Sequence, residues 1–345
     1  MIMTEISVYG RIYMKRFDYP SLRRGTIDAL RMAEYDHKRL VLIHSAAHLL
    51  LTVLIAAITF FLDRQIEGTG GLGGLGQRSV LTTAKAFLQL AQVFALLFWA
   101  MGYLSTTLEY SRNEDPDLDS LLEGFRTWGP VIRLTAVMSV LFGGLLFIAI
   151  EAGTFVFMLT PWAAPLLKVS TEYFATAESM DLQALEVLLT PVLEQLQFPL
   201  SCTCGVVFLA LVAPAFYRFR LAPTCLMDHP GKGAFGSLAQ SAKLMRGNYA
   251  AMIRLDLRFW WFHGLYLLLL LVGNFGAAAA EYVSLPVPAD TAQLILTLVC
   301  AVCMLLLFWW RKNEVSVAYA RAYEILLSPP KEAPRTVPKN QPWNY

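Results

Sequence analysis

Apolar positions in this chain are gathered into long blocks instead of recurring on a short amphipathic period. A helix needs about 20 mostly apolar residues to cross roughly 30 Å of hydrocarbon. Six blocks meet that length, at residues 40–62, 80–108, 131–160, 200–221, 257–280 and 291–310. The pattern predicts an all-α polytopic membrane protein with six transmembrane helices arranged as three hairpins, each preceded by a cytoplasmic interfacial helix. On this reading 1–39 is a cytoplasmic N-terminal segment with an interfacial helix, 40–328 is the six-span membrane domain, and 329–345 is a disordered cytoplasmic tail.

Two outer connections differ in character. The first, 63–78, carries Gly68, Gly70, Gly71, Gly73, Gly74 and Gly76, a composition that favours a flexible loop. Gly71, Gly73 and Gly76 spell G-x-G-x-x-G, but that motif binds a dinucleotide only between a strand and a helix of a soluble unit. The second, 162–197, places Leu182, Leu185, Leu189, Val192, Leu193 and Leu196 on one helical face, with Asp181, Glu186 and Glu194 elsewhere. This predicts a separate amphipathic helix lying on the outer surface or capping the bundle.

Charge fixes the expected orientation. The segment before the first block holds Arg11, Lys15, Arg16, Arg23, Arg24, Arg31, Lys38 and Arg39, and basic residues recur at Arg112, Arg126, Arg133, Arg218, Arg220, Lys232, Lys243 and Arg246. After the last block come Arg311, Lys312, Arg321, Lys331, Arg335 and Lys339, whereas the opposite side has only Arg64, Arg78 and Lys168 in its loops. By the positive-inside rule both termini are expected in the cytoplasm. Trp162 on one side and Trp309 and Trp310 on the other suit interfacial anchors. The first twenty residues lack the apolar core of a secretory signal, so the N-terminus is expected to stay where it was made.

Composition agrees. The 345 residues are 56% hydrophobic and only 16% charged, against about 25% charged in typical soluble chains, and mean hydropathy is +0.50. A net charge of +2 is too small to argue for nucleic acid. The five cysteines are an odd number and suggest no disulfide framework.

A weak repeat accompanies the hairpins. Three times a basic stretch with one aromatic leads into an odd-numbered block: Ala29-Leu30-Arg31 to Tyr35 and Arg39, Gly124-Phe125-Arg126 to Trp128 and Arg133, and Ala242-Lys243-Leu244 to Tyr249 and Arg254. In the third unit Met245-Arg246-Gly247-Asn248 interrupts a helix-compatible run. Glycine followed by asparagine there is expected to form an elbow, with the interfacial helix ending at Gly247. Ser241, Leu244, Met245, Arg246, Gly247, Asn248, Leu255, Leu257 and Phe259 resemble the signature region of a bacterial integral membrane family, domain of unknown function 975. Arg246 stands where that pattern has lysine, and Arg258 replaces a small residue before Phe259. The resemblance is sharp over about twenty residues and coarse over roughly 300. It implies an integral membrane protein and supplies no activity, ligand or catalytic residue.

Ionisable residues inside spans are functional candidates by default. His44 and His48, at i and i+4, can face one metal or haem, yet His44 is only about 7 Å beyond Arg39 at 1.5 Å per residue, and no Cys, Asp or Glu stands in register. A core histidine is the plainer reading, and His263 adds a third ligand only if its helix adjoins. Lys85 and Glu151, in the outer half of the second and third blocks, suggest either a proton path or residues that snorkel or pair to orient hairpins. Arg254, Asp256 and Arg258 stand where the fifth block enters the inner leaflet and favour anionic headgroups. The acidic run Glu114, Asp115, Asp117 and Asp119 reads as a solvated turn at Pro116.

No enzymatic constellation, cofactor or metal is expected. The leading expectation is a non-enzymatic scaffold, assembly or lipid-organising factor of a bacterial cytoplasmic membrane. Its expected partners are membrane lipids and a membrane protein, with no nucleic acid and the oligomeric state open. The alternative is a transporter or permease subunit with a polar path between the hairpins.

Overall fold

The structure is a computed structural model that describes residues 19–33, 37–68, 75–176, 182–282 and 289–328, and among these every regular element is helical. The helices are α1 (Tyr19–Met32), α2 (His37–Gly68), α3 (Leu75–Ser111), α4 (Glu123–Arg126), α5 (Trp128–Met158), α6 (Ala164–Thr176) and α7 (Leu182–Phe219). They continue as α8 (Ala222–Asp228), α9 (Gly233–Met245), α10 (Tyr249–Arg258), α11 (Trp260–Tyr282), α12 (Ala289–Leu307) and α13 (Asn313–Leu327). Among the described residues five helices are long and apolar enough to cross a membrane, and six if α10 and α11, bent by 65° at Phe259, form one span. The chain is an all-α, multi-pass membrane protein. Its spans turn large apolar side chains outward, among them Leu50, Phe61, Phe87, Val140 and Phe155, as a hydrocarbon solvent requires.

The chain divides into two compact units, Met1–Val131 with Leu221–Tyr345, and Ile132–Arg220. In the first unit the deepest packing gathers at the end of the spans that carries Lys38, Arg39, Arg112 and Lys312, called the basic end below. There α1 buries Leu22, Thr26, Ala29 and Leu30, and α13 buries Val315, Val317, Ala318, Ala320, Ala322, Tyr323 and Leu326. The small residues of α13 allow helices to approach closely. Two glycines do the same for α3, because a Cβ at Gly102 would overlap the Leu121 carbonyl and one at Gly124 would overlap the Phe98 carbonyl. The acidic run before this contact is a turn: Asp117 Oδ1 accepts the Ser120 N–H at 3.0 Å, and Arg126 donates to Asp119 at 3.1 Å.

The second unit holds α5 from Ile132, a 3-10 turn at Pro161–Ala163, α6 and α7. A Cβ on Gly153 of α5 would lie 2.7 Å from Cys204 Cα of α7, so this small residue sets a close crossing. Trp162 is exposed in the turn.

Several boundaries differ from the sequence reading. The expected amphipathic helix and the fourth span form one helix, α7, which runs through Pro191, Pro199 and Pro214. Proline breaks helices in water, but in lipid the helix is the conformation that satisfies the remaining backbone groups, so it persists. Within the expected amphipathic face Leu189, Val192 and Leu196 are half-buried and Glu194 is exposed, while Asp181 and the side chains of Leu182, Leu185, Glu186 and Leu193 lie outside what is described. The sixth span does not end at 310. It passes through a π-helical turn, Phe308–Lys312, directly into α13.

The fifth span, expected from Leu257, begins as a straight apolar helix at Trp260. Phe259 closes α10 with its N–H on the Leu255 and Asp256 carbonyls, at 3.3 and 3.0 Å, and its buried ring packs near Tyr19 and Tyr319, with centroids 6.4 and 6.0 Å away. That anchored ring fixes the bend. Upstream, α9 ends at Met245 and Gly247 takes φ +80°, a left-handed turn strained for a β-branched side chain. Of the three repeat aromatics, Trp128 starts α5 itself and is not on a preceding interfacial helix, Tyr249 starts α10, and Tyr35 lies outside the described residues. So do Gly71 and Gly73 of the glycine loop, the segment 1–18 and the tail 329–345.

Candidate functional site

At the basic end the polar groups of distant segments meet. Asp228, whose side chain is 3% exposed, accepts from Arg112 at 2.5 Å and from the Tyr323 hydroxyl at 2.8 Å. Arg112 also donates to Glu324 at 2.8 Å. Burial alone would lower the pKa of the Arg112 guanidinium. The hydrogen bonds and charges of Asp228 and Glu324 outweigh it, and the shift is upward. Asn113, in the left-handed region at φ 59°, accepts from Arg321 at 3.0 Å. Buried Asn313 accepts from the Tyr103 hydroxyl and donates to the His37 carbonyl, both at 2.5 Å. The ends of α2, α3, α8 and α13 are thereby tied into one platform.

Beside this platform, at the α10–α11 bend, is a cavity of about 380 Å³. Three arginines line it from three elements: Arg23 of α1, Arg258 of α10 and Arg311 of the π turn. Among the described residues Glu314 is the one carboxylate in the lining; it pairs with Arg311 and lies 3.7 Å from Arg23. The Arg258 guanidinium sits 4.6 Å from the centroid of Tyr19, and that of Arg311 lies 4.7 Å from the centroid of Trp310, both distances suited to cation–π attraction. Arg311 Nε is buried with no partner among the described residues. Trp260, Trp309 and Trp310 are exposed close by in sequence, the kind of residue that lies at the level of lipid headgroups.

No family model, no curated protein and no solved structure matches this chain.

His44 is buried and stacked on Tyr103 and Trp99 of α3, with centroids 4.3 and 5.6 Å away, and its carbonyl accepts the Trp99 indole N–H at 2.9 Å. Its Nδ1 and the Ser45 hydroxyl oxygen have no partner among the described residues. His48, one turn further along α2, is exposed. An aromatic slot, built by residues four apart on α3, accounts for His44. Lys312 points at Tyr103 and Phe308, 4.5 Å from each centroid.

Lys85 pairs with Asp63 at 2.6 and 2.8 Å, tying α2 to α3. The sequence places Asp63 in a loop, but α2 stays helical to Gly68 and so carries it onto the face toward α3. Glu151 is exposed on α5. In α10, Arg254 is exposed while Asp256 accepts from the Tyr319 hydroxyl at 2.6 Å. His263 lies 3.2 Å from that hydroxyl, so Tyr319 joins Asp256 to His263 and Arg258 turns instead to the cavity. Arg246 is exposed; Asn248 donates to the Leu244 carbonyl at 2.8 Å and, with Lys232, Lys243 and Ser328, lines a second cavity of about 680 Å³. Glu314 and Asn313 were missed by the sequence reading. Polar residues directly after a tryptophan-rich span end, continued by an alanine-rich pattern to Leu327, were the available signal.

Proposed function

We propose that this chain is a non-enzymatic scaffold that organises anionic lipid at the cytoplasmic face of a bacterial cytoplasmic membrane, with both termini inside. The observation that carries the reading is the platform at the basic end, where Arg112, Asp228 and Tyr323 fix three segments against one another. A scaffold needs such a rigid surface at one interface. The Lys and Arg bias of the flanks supports its cytoplasmic placement, where anionic headgroups are concentrated. Membership of the bacterial family resembled by Ser241 to Phe259 belongs to the same proposal and rests on those residues. A membrane-protein partner fits the exposed rim of the platform.

The experiment is reconstitution of the whole chain into phosphatidylcholine vesicles doped with a headgroup-labelled phosphatidylglycerol. The protein should raise self-quenching of the label by gathering it, while an entrapped small anionic dye stays inside. Unchanged quenching would overturn the reading. Protein-dependent release of the dye would replace it with the permease alternative.

A further inference from the structure

We propose that the cavity at the α10–α11 bend is a binding site for the phosphate group of an anionic phospholipid. This rests on the lipid-organising reading above and names the ligand and the residues that hold it.

Among the described residues Arg23, Arg258 and Arg311 face a cavity of about 380 Å³ whose lining holds one carboxylate, Glu314. Three guanidinium groups around a single acid leave the site cationic while it is empty. Arginine supplies a planar fork of donors that matches phosphate oxygens two at a time, which a point charge does not. Glu314 compensates only in part: it pairs with Arg311 and stands 3.7 Å from Arg23. Arg258 has an aromatic face, Tyr19 at 4.6 Å, and no ion pair among the described residues. Arg311 keeps a buried Nε–H with no partner among the described residues.

Position selects the source of the phosphate. The cavity opens where an amphipathic helix turns by 65° into an apolar one, the geometry of a chain passing from interface to hydrocarbon. Leu257 and Trp260, also in its lining, are exposed and give acyl chains an apolar surface below the headgroup. A soluble phosphate has no use for that surface, whereas a phospholipid uses both halves.

The test is native mass spectrometry of the full-length protein in mild detergent, with equal amounts of phosphatidylglycerol and phosphatidylcholine of one chain length. The wild type should retain phosphatidylglycerol in preference, and Arg23→Gln with Arg258→Gln should reduce that preference by about tenfold, as loss of two charge-assisted contacts implies. Glu314→Gln should strengthen it by removing the competing anion. Should the double variant fail to accumulate, Arg258→Gln alone decides, since that exposed side chain carries no ion pair among the described residues.

Preference unchanged in the arginine variants would overturn the site. Displacement of the lipid by millimolar inorganic phosphate would overturn the lipid as its source. The outcomes separate from those of the vesicle experiment: arginine-dependent retention without clustering leaves the site standing and removes the scaffold, and clustering that survives the arginine substitutions does the reverse.

Discussion

A valine at Gly124 should abolish accumulation of the folded protein. The Cβ of any larger residue there would overlap the Phe98 carbonyl oxygen and come within 2.7 Å of the Gly102 backbone nitrogen. Both obstacles are main chain of a long helix, so no side chain can swing aside. Relief requires the 120–126 turn to leave α3, which would uncover Leu121, now 2% exposed. The expected cost exceeds about 4 kcal/mol, the range in which single substitutions remove a fold. Gly129→Ala is the control, because a Cβ there meets nothing within 4 Å. Membrane levels and gel-filtration profiles of the two variants measure the contrast. A monodisperse Gly124→Val protein at wild-type level would show that the turn does not pack on α3 as described.

Arg112→Ala should be the next most damaging change. It leaves the Asp228 carboxylate, 3% exposed, with the Tyr323 hydroxyl and without its guanidinium. Breaking a buried pair from one side costs about 3–5 kcal/mol, but Arg112 is itself partly solvated, so a loss of roughly 2–3 kcal/mol is expected. Asp228→Asn in the same chain should recover much of that loss, since it removes the stranded charge while keeping a hydrogen-bonding group. Denaturant unfolding of the four proteins of this cycle in detergent gives the coupling directly. Strictly additive losses would mean that Arg112 and Asp228 do not act as a pair.

The spans were legible in the sequence because crossing hydrocarbon imposes a length and a composition that few other structures share. The position of the core was not legible. Hydropathy records which side chains avoid water, and in a membrane both lipid and protein satisfy them, so Phe87 and Leu108 read alike although one is exposed and the other buried. Continuity of α7 was missed because its first part, with Glu186 and Glu194, has an amphipathic pattern that reads apart from the apolar block beginning at residue 200. The α13 core was missed because alanines and a lone asparagine carry little hydropathy, while their value lies in close approach and in the Tyr103–Asn313–His37 bridge. Arg258 was singled out in the sequence as a candidate, but the residues that share its cavity were not. Arg23 and Arg311 come from opposite ends of the chain, and only the packing of α1 on α13 brings them to one cavity. For Lys85 the sequence raised a pairing question, and the partner, Asp63, was overlooked because the first span was ended too early.

In the proposed orientation the platform and the arginine cavity face the cytoplasm. Single cysteines at Gln77, Ala164, Asp115 and Gly231, in a chain whose five free native cysteines have been replaced, test it most directly with a membrane-impermeant thiol reagent applied to intact cells. In that orientation Gln77 and Ala164 positions should react at once, and Asp115 and Gly231 positions only after the membrane is opened. Labelling of Asp115 and Gly231 positions in intact cells, with Gln77 protected, would contradict it.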